Sequence, residues 1–230
     1  AYGSMYPVSS WVDDCMYAAC WLYKATGDSK YLDIIEKDYI PNFPKENQST
    51  ENKYTWGFCW DDTTQGAALL YAQITGKQEW IDHISRHIKY WMNEDSKKFS
   101  AGYTEDGLAY LMNWGPLRHA ANTAWIAFLA CDTILKDDAA LCDKYNTWAK
   151  GQMDYCFGDN AIGMSYVLGM GDKNPTAIHH RAASGIHDDH WNELGKADGG
   201  AEGWQTEYAH TLYGALIGGP DSSGNYDQST

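Results

Sequence analysis

The stretch "WVDDCMYAACWLYKATGDSKYL" (residues 11–32) decides the fold, because the chain repeats it as "CWDDTTQGAALLYAQITGKQEWI" (residues 59–81) with one insertion. Each copy has an Asp pair, apolar residues at helical spacing, a glycine turn and a second helical pattern. The Asp pairs 13/14 and 61/62 are 48 residues apart. Repeated helical hairpins bury their apolar faces only by stacking on neighbours. The sequence therefore predicts an all-α fold, a toroid or solenoid of αα units.

Further helical patterns follow the two hairpins. Helices are predicted at residues 12–27, 29–40, 61–76, 77–93, 116–135, 138–158 and 204–219. Ser10 and Asp13 are predicted to cap the first helix as a capping box, and Pro116 is predicted to open the fifth. The only strand signal is "MSYVLGM" (164–170). Long loops interrupt the hairpins, and loops of such length inside a compact domain are usually functional.

Composition excludes some classes of partner. The net charge of −14 argues against nucleic acid and against an anionic membrane surface, because both need a basic footprint. No apolar run approaches the ~18 residues of a membrane span, and no signal-peptide pattern follows Ala1. The chain has 11 Trp and 17 Tyr but 5 Phe. This bias fits a sugar-binding cleft or a tryptophan-rich core, and composition leaves both open.

The cysteines and two histidines give weaker signals. Six cysteines occur without a CxxC pair, which argues against zinc, and several lie on apolar helix faces as buried thiols. The sequence leaves open whether two of these cysteines form a disulfide. His83 and His87 are four residues apart and could bind a metal. No third ligand is near in sequence, so we interpret them as one face of an amphipathic helix.

A polar loop is predicted over "SYVLGMGDKNPTAIHHR" (165–181), because two glycines and a proline interrupt any helix there. It ends in His179, His180 and Arg181. A guanidinium offers a planar fork of donors to sugar hydroxyls or a carboxylate, and a histidine can donate to a hydroxyl or set the charge of a nearby acid. A ligand-gripping surface and a structural polar cluster both fit this pattern.

Aspartates also gather at helix starts, in "SSWVDD" (9–14) and "WDD" (60–62). Capping and the helix dipole account for single aspartates in such positions. Adjacent pairs in both repeats exceed what capping needs. Ligation by oxygen atoms alone suits Ca²⁺.

These motifs together resemble glycoside hydrolase family 9, the family of endoglucanases and cellodextrinases. Residues 103–127 and 210–221 are similar to its Trp-Gly…Leu-Arg…Ala-Asn segment and its Gly-Gly-Pro turn, and the two hairpins resemble consecutive hairpins of its (α/α)6 barrel. The loop matches the family's histidine signature at Ser165, Val167, Gly171, Lys173, Ile178, His179 and Arg181, with a mild departure at Leu168. The resemblance implies that residues 1–230 are the C-terminal portion of a single catalytic domain.

The resemblance also implies an activity and a site. The expected reaction is inverting hydrolysis of β-1,4-glucosidic bonds in cellulose or related β-glucans by a secreted enzyme. His179 and Arg181 would act at the scissile bond, and His180, Trp56 and Trp114 would bind the polysaccharide or oligosaccharide. Plain packing of the two tryptophans stays open. A structural Ca²⁺ site is implied at Ser9, Ser10, Asp13, Asp14 and Asp61.

Two parts of the family pattern have no counterpart in these 230 residues. They are the Asp-Ala-Gly-Asp-type motif that activates water and the general-acid glutamate that follows the Gly-Gly-Pro-Asp turn. Catalytic base and acid are therefore expected outside this fragment, in the remainder of the catalytic domain, and the isolated chain is expected to be inactive. The alternatives are a non-catalytic glucan-binding helical scaffold and another (α/α) toroid carbohydrate enzyme. The histidine signature favours family 9 over the latter.

Overall fold

The structure of the chain, a computed structural model, describes residues 8–185 and 208–226. Its helices are α1 (Val12–Thr26), α2 (Lys30–Ile34), α3 (Thr64–Thr75), α4 (Gln78–Trp91), α5 (Pro116–Asp132), α6 (Ala139–Phe157) and α7 (Arg181–Ser184). A π-helical turn, Ile35–Tyr39, extends α2. Within the two described ranges no strand forms, and extended backbone pairs only in isolated bridges. The all-α prediction is confirmed.

Both predicted hairpins are present. α1 ends at Gly27 with φ 69°, and α3 ends at Gly76 with φ 64°. The left-handed backbone favours glycine at these two positions. Each glycine N–H donates back into its helix, to the carbonyls of Tyr23 and Ala72, at 2.8 Å. α1 packs on α3, and α3 packs on α4, so neighbouring hairpins share their apolar faces as expected.

The start of α1 differs from the prediction, whereas the start of α5 agrees with it. The predicted capping box of Ser10 and Asp13 is wrong, because the N-cap is Trp11, without a side-chain cap. The Ser10 Oγ accepts from the Val12 N–H at 3.1 Å, while the Asp13 carboxylate bonds across to the start of α3. α5 does begin at Pro116.

The predicted last helix (204–219) is wrong where the structure describes it, because residues 208–219 are irregular. Gly214 has φ 82°, which no helical turn accommodates. Its N–H donates to the Leu168 carbonyl at 2.9 Å, and the Ala215 carbonyl accepts from Leu168 N–H at 3.0 Å. Pairing with the loop at 164–170 therefore replaces helical hydrogen bonds, and this strand candidate contributes one isolated bridge. The first part of this predicted helix, residues 204–207, lies outside the described residues.

The described residues form two compact units, one drawn from residues 1–100 and 122–150 and the other from residues 101–121 and 151–230. The first unit buries apolar faces of its helices, including Met16 of α1 and Ile84 of α4. The core of the second unit consists of Leu108, Tyr110, Leu117, Ala120, Tyr155, Cys156, Met164, Tyr166, Leu168 and Ile217. The assignment of residues 1–230 to one catalytic domain stays a prediction.

The six cysteines all lie in the described ranges and are free thiols, four of them buried. Burial raises the pKa of the Cys20 and Cys156 thiols to about 12, so these two stay protonated. The buried-thiol interpretation is confirmed for Cys20, Cys131, Cys142 and Cys156. No helix of the described ranges has the length and apolar character needed to cross a membrane.

Candidate active site

The loop that carries the predicted histidines belongs to the second unit and is held by polar contacts. The Ser165 N–H donates to the Lys173 carbonyl at 2.9 Å, and Lys173 Nζ donates to the Ile162 carbonyl at 2.8 Å. The Asn174 Oδ1 accepts from the Gly169 N–H at 2.8 Å. These bonds fix an irregular backbone, as predicted, because they satisfy polar groups that no helix or strand pairs.

The structure brings His179 and Trp114 together. Their ring centroids are 5.4 Å apart and their planes meet at 84°, an edge-to-face pair. Both side chains are exposed. Aromatic rings favour this geometry because the positive edge of one meets the negative face of the other. The pair combines an apolar ring surface with polar ring nitrogens at one exposed place, which is the chemistry that a sugar-binding surface uses.

His180 and Arg181 lie at the start of α7, His180 as its N-cap and Arg181 inside the helix. His180 is the N-cap of α7, and its Nδ1 accepts from the Ala183 N–H at 3.1 Å. One nitrogen of this ring is therefore committed to the backbone. Arg181 is the first residue of α7. Its side chain lies outside the described part of the chain, so the role of its guanidinium stays a prediction.

The segment that leads to Trp114 is fixed by Asp106, which sequence reasoning missed. Asp106 accepts hydrogen bonds from the Tyr155 hydroxyl at 3.1 Å and from the Ala161 N–H at 3.0 Å. Burial alone would raise the pKa of Asp106, but the hydrogen bonds from Ala161, Thr104 and Tyr155 outweigh it and lower the pKa. Asp106 is thus a charged clamp that joins this segment to α6 and to the loop after it.

Tyr213 is a second residue that the sequence did not reveal. Its ring lies directly on Gly169, where a Cβ would collide with ring carbons and where φ is 76°. Tyr213 is 78% exposed, so a flat aromatic surface lies beside the histidine loop. The contact joins residues 44 positions apart in an irregular region, and no periodic pattern signals it.

Trp56 belongs to the first unit, in a loop held from beneath by Glu46, which is 8% exposed. One Glu46 oxygen accepts from the backbone N–H of Tyr54 at 2.8 Å and of Thr55 at 2.9 Å. The other accepts from Thr55 Oγ1 and Lys97 Nζ, both at 3.0 Å. Burial alone would raise the pKa of Glu46, but these hydrogen bonds lower it. The backbone leading to Trp56 therefore has a fixed, ionised support.

Lys53 connects this loop to the second Asp pair. Its Nζ lies 2.6 Å from the Asp62 Oδ2 and 5.8 Å from the Trp56 ring centroid, within cation–π range. The Lys53 carbonyl accepts from Gln65 Nε2 at 2.8 Å. Nothing in the sequence marked Lys53 or Gln65, since their contacts depend on how the loop folds over α3.

His83 and His87 support the same loop from α4. The His87 Nδ1 lies 2.6 Å from the Tyr54 carbonyl, to which it donates, and the His83 Nε2 lies 3.1 Å from the Gln65 Oε1. Desolvation by burial lowers the pKa of His87 to about 4 and that of His83 to about 3. Both rings are neutral at neutral pH, and His87 lies on the buried face of an amphipathic helix, as interpreted.

The predicted cation ligands form two hydrogen-bonded groups at the starts of α1 and α3. Ser9 donates to the Asp61 carboxylate through both its N–H and its Oγ, at 2.7 Å each. Thr63 donates its N–H to Asp13 Oδ2 at 2.8 Å, and its Oγ1 lies 3.1 Å from Asp14 Oδ1. The structure thus joins residues from both repeats, and Thr63 is the member that the sequence did not indicate.

The donor chemistry of this region fits a hard cation, although a complete ligand set is not assembled. Within the described ranges, Oδ1 of Asp13 is buried without a hydrogen-bond partner. Burial raises the pKa of Asp13, and the nearby Asp62 charge adds to this, while the Thr63 N–H opposes it. Among the residues described, no three His, Cys, Asp or Glu side chains converge as metal ligands. An unsatisfied buried carboxylate oxygen beside serine and threonine hydroxyls nevertheless suits Ca²⁺.

Comparison with known families gives the class of protein. The model of the family described as "Glycosyl hydrolase family 9" matches residues 1–230. The chain therefore belongs to glycosyl hydrolase family 9. The resemblance read from the histidine loop and the hairpins is confirmed, and the chain is part of the family's (α/α)6 barrel.

Particular relatives are endoglucanases. Endoglucanase B of Cellulomonas fimi is 38% identical over 217 residues, which are 93% of this chain and 19% of that protein. Endoglucanase A of Bacillus pumilus is 34% identical, over 95% of this chain and 31% of its own length. The structure of endoglucanase CelQ from Clostridium thermocellum complexed with cellobiose and cellotriose has a TM-score of 0.85 at 40% identity, covering 99% of this chain and 36% of that one. The chain thus spans about a third or less of these relatives.

Proposed function

We propose that this chain is part of the catalytic domain of an endo-β-1,4-glucanase that hydrolyses cellulose or related β-glucans with inversion at the anomeric carbon. Its family and its endoglucanase relatives support this reaction class. The observation that carries the proposal is the exposed pair of Trp114 and His179, because it combines an indole with an imidazole on the family's histidine loop. A β-glucan chain is the proposed partner. Because cellulose is an insoluble polymer, the proposed enzyme acts outside the cell.

Each loop residue has a proposed role. The Trp114 ring stacks on a sugar, and His179 contacts a hydroxyl of that sugar. Arg181 holds the sugar at the scissile bond through its planar donors and shapes the electrostatics of the acid. His180 uses Nδ1 as a helix cap, so its Nε2 is the atom assigned to substrate. Trp56 offers a further stacking surface, with Lys53 near its ring.

The water-activating aspartates and the general acid are proposed to lie outside these 230 residues. Inverting glycosidases place two carboxyl groups ~6.5–9.5 Å apart, with the attacking water between them. Neither family motif for these groups occurs in the sequence. The chain then contributes the substrate-binding loops, and the remainder of the catalytic domain contributes the acid and the base.

Activity assays test this proposal. A longer polypeptide that carries the whole catalytic domain should release reducing ends from carboxymethyl-cellulose, and the 230-residue chain should not. In the longer polypeptide, Arg181→Ala should lower kcat by ~10²-fold or more with little change in KM, because its contact forms at the reacting sugar. Lys144→Ala, which removes an exposed ion pair with Glu94, is the control and should leave kcat unchanged.

Other results would contradict the proposal. Turnover by the short chain at the rate of the long one would refute the placement of base and acid. An unchanged kcat in the Arg181 variant would refute its contact with the reacting sugar and assign that residue a structural role. Cellotriose binding without turnover in the longer polypeptide would favour the non-catalytic glucan-binding scaffold.

We also propose one structural Ca²⁺ held by Ser9, Ser10, Asp13, Asp14 and Asp61. The unsatisfied Asp13 oxygen and the closeness of both helix starts support it. When bound, the cation would offset the repulsion between carboxylates and tie the two repeated hairpins. Both Asp61 oxygens now accept from Ser9, so the cation would replace at least one of those hydrogen bonds.

Thermal unfolding tests the calcium proposal. Since the cation binds only the folded state, Tm should rise with free Ca²⁺ and fall in EDTA. Asp61→Ala should abolish this response, whereas Asp82→Ala, which removes an exposed carboxylate paired with Gln78, should retain it. A Tm that ignores both EDTA and the Asp61 substitution would refute the site.

A further inference from the structure

Trp56 follows three residues whose backbone is fixed. The Lys53 N–H donates to the Pro44 carbonyl at 2.8 Å, and the Lys53 carbonyl accepts from Gln65 Nε2 at 2.8 Å. Glu46 accepts from the N–H groups of the next two residues. These bonds place the backbone that leads to Trp56, but they act on backbone groups and leave the direction of the indole to be set by another contact.

Lys53 makes such a contact with the indole. Its ammonium lies over the Trp56 ring, 5.8 Å from the centroid, within the ~6 Å range of a cation–π interaction. An aromatic ring has two faces, and a cation held over one of them leaves the other for a sugar to stack on. Trp56 is half-buried, so its side chain keeps freedom that sugar binding has to remove. A ring that is already held loses less of this freedom on binding.

The ammonium of Lys53 is itself anchored by Asp62. Lys53 Nζ lies 2.6 Å from the Asp62 Oδ2, and the Asp62 side chain is 3% exposed. The other oxygen of Asp62 accepts from the N–H of Thr64, the first residue of α3, at 3.1 Å. A buried carboxylate without its cation is costly, so the lysine is firmly held. Contacts thus run from the start of α3 through Asp62 and Lys53 to the Trp56 ring.

We propose that Lys53 is a positioning residue for substrate binding, an inference that rests on the proposed stacking role of Trp56. Anchored by Asp62, the lysine holds the indole in the orientation that stacks on a sugar, and it does not touch the sugar itself. Without the lysine the indole is present but free to turn. The sugar then loses the same stabilisation in the ground state and in the transition state, which weakens binding and leaves kcat unchanged.

Substitutions in the longer polypeptide test this proposal. The Kd of cellotetraose is measured by calorimetry, at a temperature low enough to suppress turnover, and kcat on carboxymethyl-cellulose. Lys53→Met should raise Kd about threefold to tenfold, the range of a cation–π contact, with kcat unchanged. Lys77→Met is the control, because Lys77 also lies against a carboxylate (Glu36, 2.9 Å) and an aromatic ring (Tyr71, 5.3 Å). The control should leave both constants unchanged, and an equal rise of Kd in both variants would overturn the proposal.

A second variant separates positioning from a purely structural role. Lys53→Met alone leaves the buried Asp62 carboxylate unpaired, so Tm should fall. Lys53→Met combined with Asp62→Asn removes both charges, and Tm should return most of the way to that of the wild type. Kd should stay raised in this double variant, because no cation lies over the indole. A Kd that recovers together with Tm would overturn the proposal, since the lysine would then act only by stabilising the fold.

A double-mutant cycle connects the lysine to the ring. Trp56→Ala should raise Kd at least as much as Lys53→Met does, and adding Lys53→Met to Trp56→Ala should weaken binding no further. Additive losses would overturn the proposal, because the lysine would then act by a route other than the indole. An unchanged Kd in Trp56→Ala would refute the stacking role of Trp56 and the positioning role with it. A raised Kd in Trp56→Ala beside an unchanged Kd in Lys53→Met would refute the positioning role alone.

Discussion

Replacing Glu46 by alanine should destabilise the first unit far more than a surface substitution would. The change leaves the N–H groups of Tyr54 and Thr55 without their acceptor, and Tyr54 is buried. An unsatisfied buried donor costs ~1–3 kcal/mol, and Thr55 is only half-buried, so the two together cost about 2–5 kcal/mol. Lys97 is half exposed and regains water, so its loss adds little. For a chain of this size, Tm should fall by about 5–15 °C.

Urea and thermal unfolding followed by circular dichroism would measure this effect in the 230-residue chain. The control is Glu51→Ala in the same loop, which removes an exposed ion pair with Arg86 and should cost less than about 1 kcal/mol. Glu46→Gln keeps one carbonyl oxygen for the two N–H groups and should lie between them. A Glu46→Ala loss no larger than the Glu51→Ala loss would refute the idea that Glu46 supports the Trp56 loop.

Two further predictions concern acid sensitivity and glycine packing. Because burial lowers the pKa of His87 from 6.5 to about 4, the unfolded chain takes up this proton first, so the free energy of unfolding should fall as pH drops from 6.5 to about 4. Urea midpoints across that range should show the fall, and His87→Gln should make it shallower without abolishing it, because the lowered pKa of His83 contributes in the same direction. An unchanged slope would contradict the assignment. Gly66→Ala should lower Tm, because its Cβ would lie 2.6 Å from the Phe58 ring. Gly151→Ala in α6 meets nothing within 4 Å, so it should raise the free energy of unfolding by about 0.5–1 kcal/mol through helix propensity and raise Tm with it. Equal effects would mean that the Phe58 contact is unimportant.

Local chemistry made part of this fold predictable. Gly27 and Gly76 correctly predicted the ends of α1 and α3, because glycine adopts the left-handed backbone there without strain. Pro116 correctly predicted the start of α5, because the fixed φ of proline suits the first position of a helix. The irregular backbone of the histidine loop followed from its own glycines and proline. These features depend on residues within a few positions of one another.

Contacts between distant residues were not predictable in the same way. Trp114 meets His179 across 65 positions. The Glu46 carboxylate accepts from the backbone N–H of Tyr54, and Thr63 donates its backbone N–H to Asp13, and a backbone N–H carries no sequence signature. The error at 204–219 has the same origin. The apolar residues there have helical spacing, but the backbone forms hydrogen bonds with Leu168 instead of a helix. Leu168 lies 46 positions before Gly214, so a local pattern does not reveal this pairing.

The six thiols have a practical consequence for handling the protein. None of the cysteines, all of which lie in the described ranges, is bonded to another, so a reducing agent removes no link from this structure. Refolding from denaturant therefore needs neither an oxidant nor disulfide shuffling, and dithiothreitol can be present throughout. Four of the sulfur atoms are sheltered, whereas Cys15 and Cys59 are only half-buried. Oxidative cross-linking between molecules during storage should begin at those two positions, and replacing both by serine should prevent it.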